Sequence, residues 1–404
     1  MDKCLFCDCD LDPGSEEHVF LSALGGRVAT YRGSCQVCNN AFAGKETGKI
    51  DDALAESFEA VRNGLKIWTG IKAPPPTLLK AGAMPDGAEY DLAPGFVVAM
   101  RPGRLPSTIT PGTEHVLVAR DEADAKRLLE ILGKRGTTVE LGKATRVRQK
   151  APETKVSFAF DGPKVWRTVA KTAVVGFVVL YGNEQARRHI SSGLRAAIRY
   201  GAPSIENFAG WDFSNEWPAV QDLAAHARTP DARPSGYEHS LVVADVAGHC
   251  VAYVTLFGDW RFSVLLGPAT GLPTRGLAVN PRDTRPARFV LSAQAPAAYA
   301  PRQPGSFQSE FELVLEHNRA AMTRAMQTWS EEAHADYAEK LTEELEAEIE
   351  AAGDDPARRQ SAIEGFAEKL AVIEHGGSWS TDLENVFGED AGALGRPKKW
   401  SPPD

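Results

Sequence analysis

The chain has 404 residues, 43% of them apolar and 25% charged, which is the ordinary composition of a soluble globular protein. This length can bury a large core and predicts two or three domains. The most apolar stretch, residues 168–182, carries Lys171 and is too short to span a bilayer. The N-terminus lacks the basic and apolar regions of a signal peptide. We therefore expect a cytoplasmic protein without a membrane partner.

Charge is distributed unevenly around the formal total of −9. Residues 1–80 carry 9 Lys and Arg against 11 Asp and Glu, residues 81–310 carry 27 against 22, and residues 311–404 carry 9 against 21. Because the last segment is strongly acidic, a nucleic-acid surface must lie on the first two segments. A mildly acidic total does not exclude DNA as a partner, since phosphate contacts depend on local basic patches.

Two Cys-x-x-Cys pairs open the chain: Cys4, Cys7, Cys35 and Cys38. This spacing is typical of a tetrahedral zinc site with four thiolate ligands. In a cytosolic chain of this size, it favours a metal site over a disulfide framework. Cys9 and Cys250 have no such sequence partners.

The end of the first segment has an amphipathic helical pattern, in which Leu54, Phe58, Val61 and Leu65 recur at helical spacing. Three consecutive prolines follow in the stretch "IKAPPPTLLKAGAMPDG". They predict a stiff linker over residues 71–85, and therefore an N-terminal domain of residues 1–70.

Residues 86–300 mix strand and helix patterns and predict an α+β domain. The strand patterns cover residues 95–100, 114–119 and 155–160, and the helix patterns cover residues 121–134, 163–182 and 184–201. Residues 238–267 contain three strand-like runs with turns at Ala247-Gly248 and Gly258-Asp259, which predict an antiparallel meander. The predicted fold class is therefore α+β, with an antiparallel sheet in the central domain.

Residues 307–404 form an acidic segment with helical patterning and a tail predicted to be disordered. From Phe311 to Ala352, apolar residues such as Met322, Trp329 and Leu341 stand among many glutamates, which predicts a long helix or helix pair. These apolar residues need a partner surface, either on the chain's own central domain or on a second chain. We expect a homodimer as the arrangement that would bring two N-terminal domains together.

Between the two cysteine pairs lie residues that a structural zinc site does not require. Glu17 and His18 are adjacent, the glycine-rich stretch "ALGGR" follows, and Asn39 comes directly after the last cysteine of the pairs. Hard oxygen donors suit Mg²⁺, and a neutral imidazole can deprotonate water. A histidine beside one acidic and one amide oxygen therefore predicts a hydrolytic site.

This combination over residues 4–52 resembles the HNH endonucleases, the ββα-metal or His-Me finger superfamily. The likeness is to the zinc-knuckle branch with Asn in place of the last His, which includes zinc-containing phage resolvases. The resemblance implies a structural Zn²⁺ on the four cysteines, His18 as general base, and a catalytic Mg²⁺ or Mn²⁺ on Glu17 and Asn39. Asn40 is an alternative ligand. The middle Asn of the motif, expected between Gly26 and Cys35 to brace the histidine loop, is absent.

The implied activity is hydrolysis of DNA phosphodiester bonds, with the divalent ion stabilising the developing charge. By analogy, an extra domain beside such a nuclease suggests a role in restriction or anti-phage defence. The basic residues that we expect to contact DNA are Arg27, Arg32, Lys45, Arg146 and Arg148. The alternative is a non-catalytic zinc module that binds nucleic acid or a protein partner.

Overall fold

A computed structural model describes residues 2–44, 48–69, 73–84, 88–105, 119–135, 160, 162–212, 236–282, 286–290 and 307–374. These residues form a mixed α+β structure whose sheets are antiparallel, which confirms the predicted fold class at this level. The strands predicted at 114–119 and 155–160 fall almost wholly outside the described residues. The tail predicted to be disordered, residues 395–404, also lies outside the described residues.

The N-terminal residues form a small ββα unit. Strand β1 (Glu17–His18) pairs with strand β2 (Ala29–Thr30), and helix α1 (Gln36–Ala43) follows. Helices α2 (Ile50–Ser57) and α3 (Glu59–Gly64) complete the segment and bury the apolar face that the sequence pattern predicts.

The turn between β1 and β2 depends on two glycines. Gly25 has a φ of +86°, and a side chain there would meet the backbone of Pro281 at 2.6 Å. A Cβ on Gly26 would lie 1.8 Å from the carbonyl oxygen of Phe20. Because only glycine tolerates both constraints, these residues fix the path of the chain after His18.

A three-stranded sheet follows, formed by β3 (Leu78–Ala83), β4 (Glu89–Ala93) and β5 (Val97–Met100) in that order. Strand β3 lies within the stretch 71–85, which the prolines predict to be a linker. The side chain of Tyr90 packs beneath Gly82, and Asp91 accepts a hydrogen bond from the amide of Lys80, so pairing with β4 orders the residues after the prolines. Helix α4 (Glu122–Lys134) then begins as predicted, capped by Asp121.

The central helices are α5 (Gly162–Tyr181), α6 (Asn183–His189) and α7 (Ser192–Tyr200). The six-stranded sheet beside them contains β6 (Ala209–Trp211), β7 (His239–Val246), β8 (His249–Leu256), β9 (Trp260–Pro268), β10 (Arg275–Val279) and β11 (Pro286–Val290). Its strand order is β11-β10-β7-β8-β9-β6, with antiparallel neighbours. The predicted meander of β7, β8 and β9 is therefore confirmed, and its first turn has positive φ at Ala247 and Gly248.

Helix α5 lies between the ββα unit and the central sheet. One continuous hydrophobic core includes Phe20 and Phe42 of the ββα unit, Phe177 of α5 and Leu241 of β7. The N-terminal and central segments, which the sequence predicts as separate domains, therefore share a core. Although α5 is long and apolar, no helix among the described residues meets the requirements for crossing a membrane.

Two helices end the described part of the chain, α8 (Phe307–Ala352) and α9 (Pro356–Glu374). A turn at Gly353, with a φ of +56°, lets the chain reverse, and Pro356 opens α9 at a position that proline favours. The stretch from Phe311 to Ala352 is therefore one long helix, the first of the two predicted possibilities, and α9 follows beyond the predicted range.

The first half of α8 packs on its own chain. Val314, Ala321 and Ala325 are buried in the shared core. Further along, Trp329 packs edge-on against Phe96, with ring centroids 5.5 Å apart. The central domain thus supplies part of the partner surface that the helix needs, and the homodimer stays a prediction.

Candidate functional site

The two Cys-x-x-Cys pairs come together in space. The Sγ atoms of Cys4, Cys7, Cys35 and Cys38 all lie within 4.8 Å of one another. Cys35 directly precedes α1 and Cys38 lies in its first turn, so the helix start fixes the second pair. Four thiolates bound to one tetrahedral Zn²⁺ at about 2.3 Å are about 3.8 Å apart. The cluster can therefore hold a zinc ion.

Hydrogen bonds within the cluster already favour one thiolate. The amide of Phe6 donates to Cys4 Sγ at 3.4 Å. A hydrogen bond from Cys38 lowers the pKa of Cys4 to about 5. Burial raises the pKa of Cys7 to about 12, so a metal would have to displace the proton from that thiol.

Two arginines of the central helices hold the first cysteine pair in place. Arg187 of α6 donates to the carbonyl oxygen of Cys4 at 3.4 Å, and Arg195 of α7 donates to that of Leu5 at 3.0 Å. Both arginines also pair with Asp8, at 2.8 and 3.7 Å. The cluster is thus supported by helices that lie more than 180 residues later in the chain.

His18 lies on β1 opposite Ala29 and is half-buried. Its Nδ1 atom is buried and has no hydrogen-bond partner among the described residues. Burial lowers the pKa of His18. The negative charge of Glu16 opposes this, and the positive charges of Arg27 and Lys171 act in the same direction as burial. The imidazole is therefore neutral at physiological pH, which is the state that can accept a proton.

Asn39 fastens α1 to the segment that leads into β1. Its Nδ2 donates to the carbonyl oxygen of Glu16 at 2.7 Å, two residues before His18. The alternative ligand Asn40 instead accepts a hydrogen bond from the side chain of Gln36 at 2.7 Å. The amide that the sequence predicts as a metal ligand is thus close to the His18 strand.

Glu17 and His18 are neighbours on β1, so their side chains point to opposite faces of the strand. The side of Glu17 is the buried one, with 3% of its surface exposed. The ammonium of Lys171 donates to Glu17 Oε1 at 2.8 Å, and the hydroxyl of Ser34 donates to Glu17 Oε2 at 3.1 Å. The same ammonium donates to Asp51 Oδ2 at 2.7 Å. Both carboxylate oxygens of Glu17 are therefore engaged inside the protein.

Lys171 is fully buried in the middle of α5, and its ammonium lies 5.0 Å from the centroid of the Phe42 ring. Burial disfavours an ammonium, but the carboxylates of Asp51 and Glu17 outweigh this and raise the pKa of Lys171. Lys171 therefore stays charged. The sequence carried one signal for this role: Lys171 is the lone charged residue in the apolar run 168–182, and a buried charge needs a partner.

Glu17 and Asn39 do not fit a shared Mg²⁺ or Mn²⁺ ion in this arrangement. Mg²⁺ requires near-octahedral oxygen ligands at about 2.0–2.1 Å and usually keeps several waters. Glu17 is buried and both its oxygens are engaged, so it has no oxygen left for such an ion. The Asn39 bond to Glu16 uses Nδ2 and does not involve Oδ1, the atom that would bind a metal. Across the described ranges, the four cysteines are the one group of three or more His, Cys, Asp and Glu side chains that could hold a metal.

The basic residues expected to bind phosphate have different surroundings. Arg27 donates to the carbonyl oxygens of Gly26 at 2.8 Å and Trp68 at 3.2 Å, so it ties the loop after β1 to the end of the N-terminal segment. Arg32 is exposed, with its nearest carboxylate, that of Asp2, at 3.7 Å. The remaining three lie outside the described residues: Lys45, Arg146 and Arg148.

His239 of β7 ties the loop after His18 to the central sheet. Its Nε2 donates to the carbonyl oxygen of Leu24 at 2.7 Å, and its Nδ1 accepts from the amide of Phe257 at 3.1 Å. Only a neutral imidazole can make both bonds. Burial lowers the pKa of His239 to about 4.

This pKa predicts a loss of stability in mild acid. Because the folded pKa lies below the ordinary value of about 6.5, the unfolded chain binds the proton first as the pH falls. The contribution of neutral His239 to the free energy of unfolding is fully present above pH 6.5 and is lost as the pH falls towards 4. The loss is at most about 3 kcal/mol. Urea unfolding of the parent and His239→Gln at pH 7 and 4.5 should show a steeper loss in the parent. Equal losses of unfolding free energy in the parent and in His239→Gln would contradict this prediction.

Comparison with known proteins finds no matching family, no similar curated protein and no similar solved structure. Function therefore has to be inferred from the residues and their geometry.

Proposed function

We propose that the chain hydrolyses phosphodiester bonds in DNA, with His18 as the general base. The observation that carries the proposal is the order of elements around the cysteine cluster: a hairpin with histidine on its first strand, then a helix that begins at the second cysteine pair. The same order is implied by the resemblance to the HNH endonucleases. A role in restriction or anti-phage defence is an extension by analogy.

The surroundings of His18 suit proton transfer. Its lowered pKa keeps the imidazole neutral, and its partial exposure lets water and a phosphate approach. The cysteine cluster and the bond from Asn39 to Glu16 hold α1 against β1, so the imidazole sits on a braced strand. Arg32, two residues after β2, is exposed and can contact the DNA backbone.

A catalytic divalent ion, if bound, would stabilise the charge that develops on the phosphate. Glu17 does not offer a free ligand atom for it, and we assign no step of hydrolysis to such an ion. The zinc ion would support the unit without entering the reaction, because four thiolates leave no open position on the metal.

A non-catalytic zinc module is the second candidate. The observation that favours it is the burial of Glu17 against Lys171, which gives the acidic residue of the motif a structural task. Such a module would bind DNA or a partner through exposed groups and would need neither a neutral His18 nor a divalent ion.

Incubation of zinc-loaded protein with supercoiled plasmid and Mg²⁺, Mn²⁺ or EDTA separates the two candidates. We expect the parent to nick the plasmid and His18→Ala to lose about 10²–10⁴-fold in rate, since removal of a general base typically costs this much. Zinc content and the unfolding midpoint should stay close to those of the parent, because His18 is not a ligand of the cluster.

His249→Ala is the matched control. His249 is also half-buried and on a strand, but it pairs with Val246, at the far end of β7 from His239. Val246 is seven residues along β7 from His239, which contacts Leu24 of the N-terminal segment. At about 3.3 Å per residue, this is a distance of about 23 Å. If His18→Ala nicked the plasmid at the rate of the parent, His18 would not be the general base. A parent that binds DNA without cutting it would favour the non-catalytic module.

A further inference from the structure

A buried ion cluster joins the ββα unit to α5. The ammonium of Lys171 lies 2.8 Å from Glu17 Oε1 and 2.7 Å from Asp51 Oδ2. The lysine side chain is 0% exposed, that of Glu17 3% and that of Asp51 17%. Asp51 Oδ1 is buried and has no hydrogen-bond partner among the described residues. Two carboxylates thus share one cation in a nearly dry site.

We propose that Lys171 occupies the position on Glu17 that the HNH motif gives to a divalent ion. Glu17 then anchors β1 to α5 instead of binding an exchangeable metal, and Lys171 is a positioning residue for the strand that carries His18. The central part of the chain supplies the cation, so the ββα unit is incomplete without α5.

The contacts around Lys171 leave little room for a metal to replace it. A divalent ion bound to Glu17 Oε1 would lie beside the ammonium, and the repulsion between two cations is strong where water is excluded. Withdrawal of Lys171 would require α5 to shift. The Thr168 hydroxyl, one turn earlier, donates to the carbonyl oxygen of Ile50 at 2.7 Å and fixes α5 against α2.

The second oxygen of Glu17 supports the same assignment. It accepts the hydroxyl of Ser34, which is itself 0% exposed and directly precedes Cys35. The carboxylate is therefore held between α5 and the segment that enters the cysteine cluster. This geometry suits an anchor between two elements, whereas a ligand of an exchangeable ion needs an oxygen open to solvent.

Mn²⁺ titration of the zinc-loaded full chain, followed by electron paramagnetic resonance with and without a DNA duplex, tests the proposal. We expect Glu17→Gln and the parent to give the same Mn²⁺ binding curve. An absence of Mn²⁺ binding in both proteins would also agree with the proposal. A tenfold or greater loss of Mn²⁺ affinity in Glu17→Gln would overturn the proposal.

Lys171→Ala provides a second arm, because it removes the ammonium and leaves space beside the two carboxylates for another cation. If this variant folds, we expect it to gain a Mn²⁺ site that the parent lacks, and a folded variant without that gain would contradict the proposal. If it does not fold, the Glu17→Gln comparison still decides. Both arms measure binding, so they give a result even if the parent cuts no DNA and the proposed function fails.

Discussion

Cys38→Ser is expected to lose zinc and to unfold the ββα unit. Cys38 is fully buried, and its Sγ lies within 4.8 Å of the other three cluster sulfurs. In zinc-finger peptides, structural zinc contributes about 10–16 kcal/mol of apparent binding free energy. The two strands of the unit have two residues each and cannot form a stable hairpin alone. Loss of one ligand should therefore remove one of the supports of these residues, beside the shared core.

Metal analysis of the parent should give about one zinc per chain. Hydrogen exchange should show lost protection over residues 2–44 in Cys38→Ser and much smaller changes in the central sheet. Cys9→Ser is the matched control, since Cys9 is exposed and outside the cluster, and it should keep both the zinc and the protection. A zinc-free parent that is fully folded would show that the cluster does not depend on a metal.

Lys171→Met is expected to lower the free energy of unfolding by about 3–5 kcal/mol, the usual cost of removing one partner from a buried ion pair. Methionine is similar to lysine in length and fills the same space in α5. The cost therefore comes from leaving Glu17 and Asp51 without their cation. Glu17 is the more deeply buried of the two, and burial raises its pKa even beside Lys171. Urea unfolding of the parent and the variant measures it.

The double variant Glu17→Gln/Lys171→Met should recover part of this loss, because the more deeply buried carboxylate is then neutral and Asp51 retains some contact with water. Lys164→Met, also in α5 but half-buried, is the control and should change stability by less than about 1 kcal/mol. Equal losses in Lys164→Met and Lys171→Met would show that the ion cluster has no special effect on stability.

Local pattern was sufficient for several parts of the fold. The Cys-x-x-Cys spacing predicted the cluster, because two closely spaced thiols on each short segment restrict the geometry to that of a metal site. The turns at Ala247-Gly248 and Gly258-Asp259 predicted the meander, because positive φ in such turns is a local requirement. The long apolar run predicted α5 because helix formation and burial depend on neighbouring residues.

The surroundings of the candidate site were decided by tertiary structure. Glu17 and Lys171 are 154 residues apart, and no local pattern specifies that α5 passes beneath β1. For the same reason, the sequence could not show that Arg27 braces the histidine loop through Trp68, or that His239 binds Leu24 from the central sheet. The sequence by itself determined which residues could do chemistry. The shared core determined which of their atoms remain free, because a buried charge or hydrogen-bonding atom must find its partner wherever the packed chain places one.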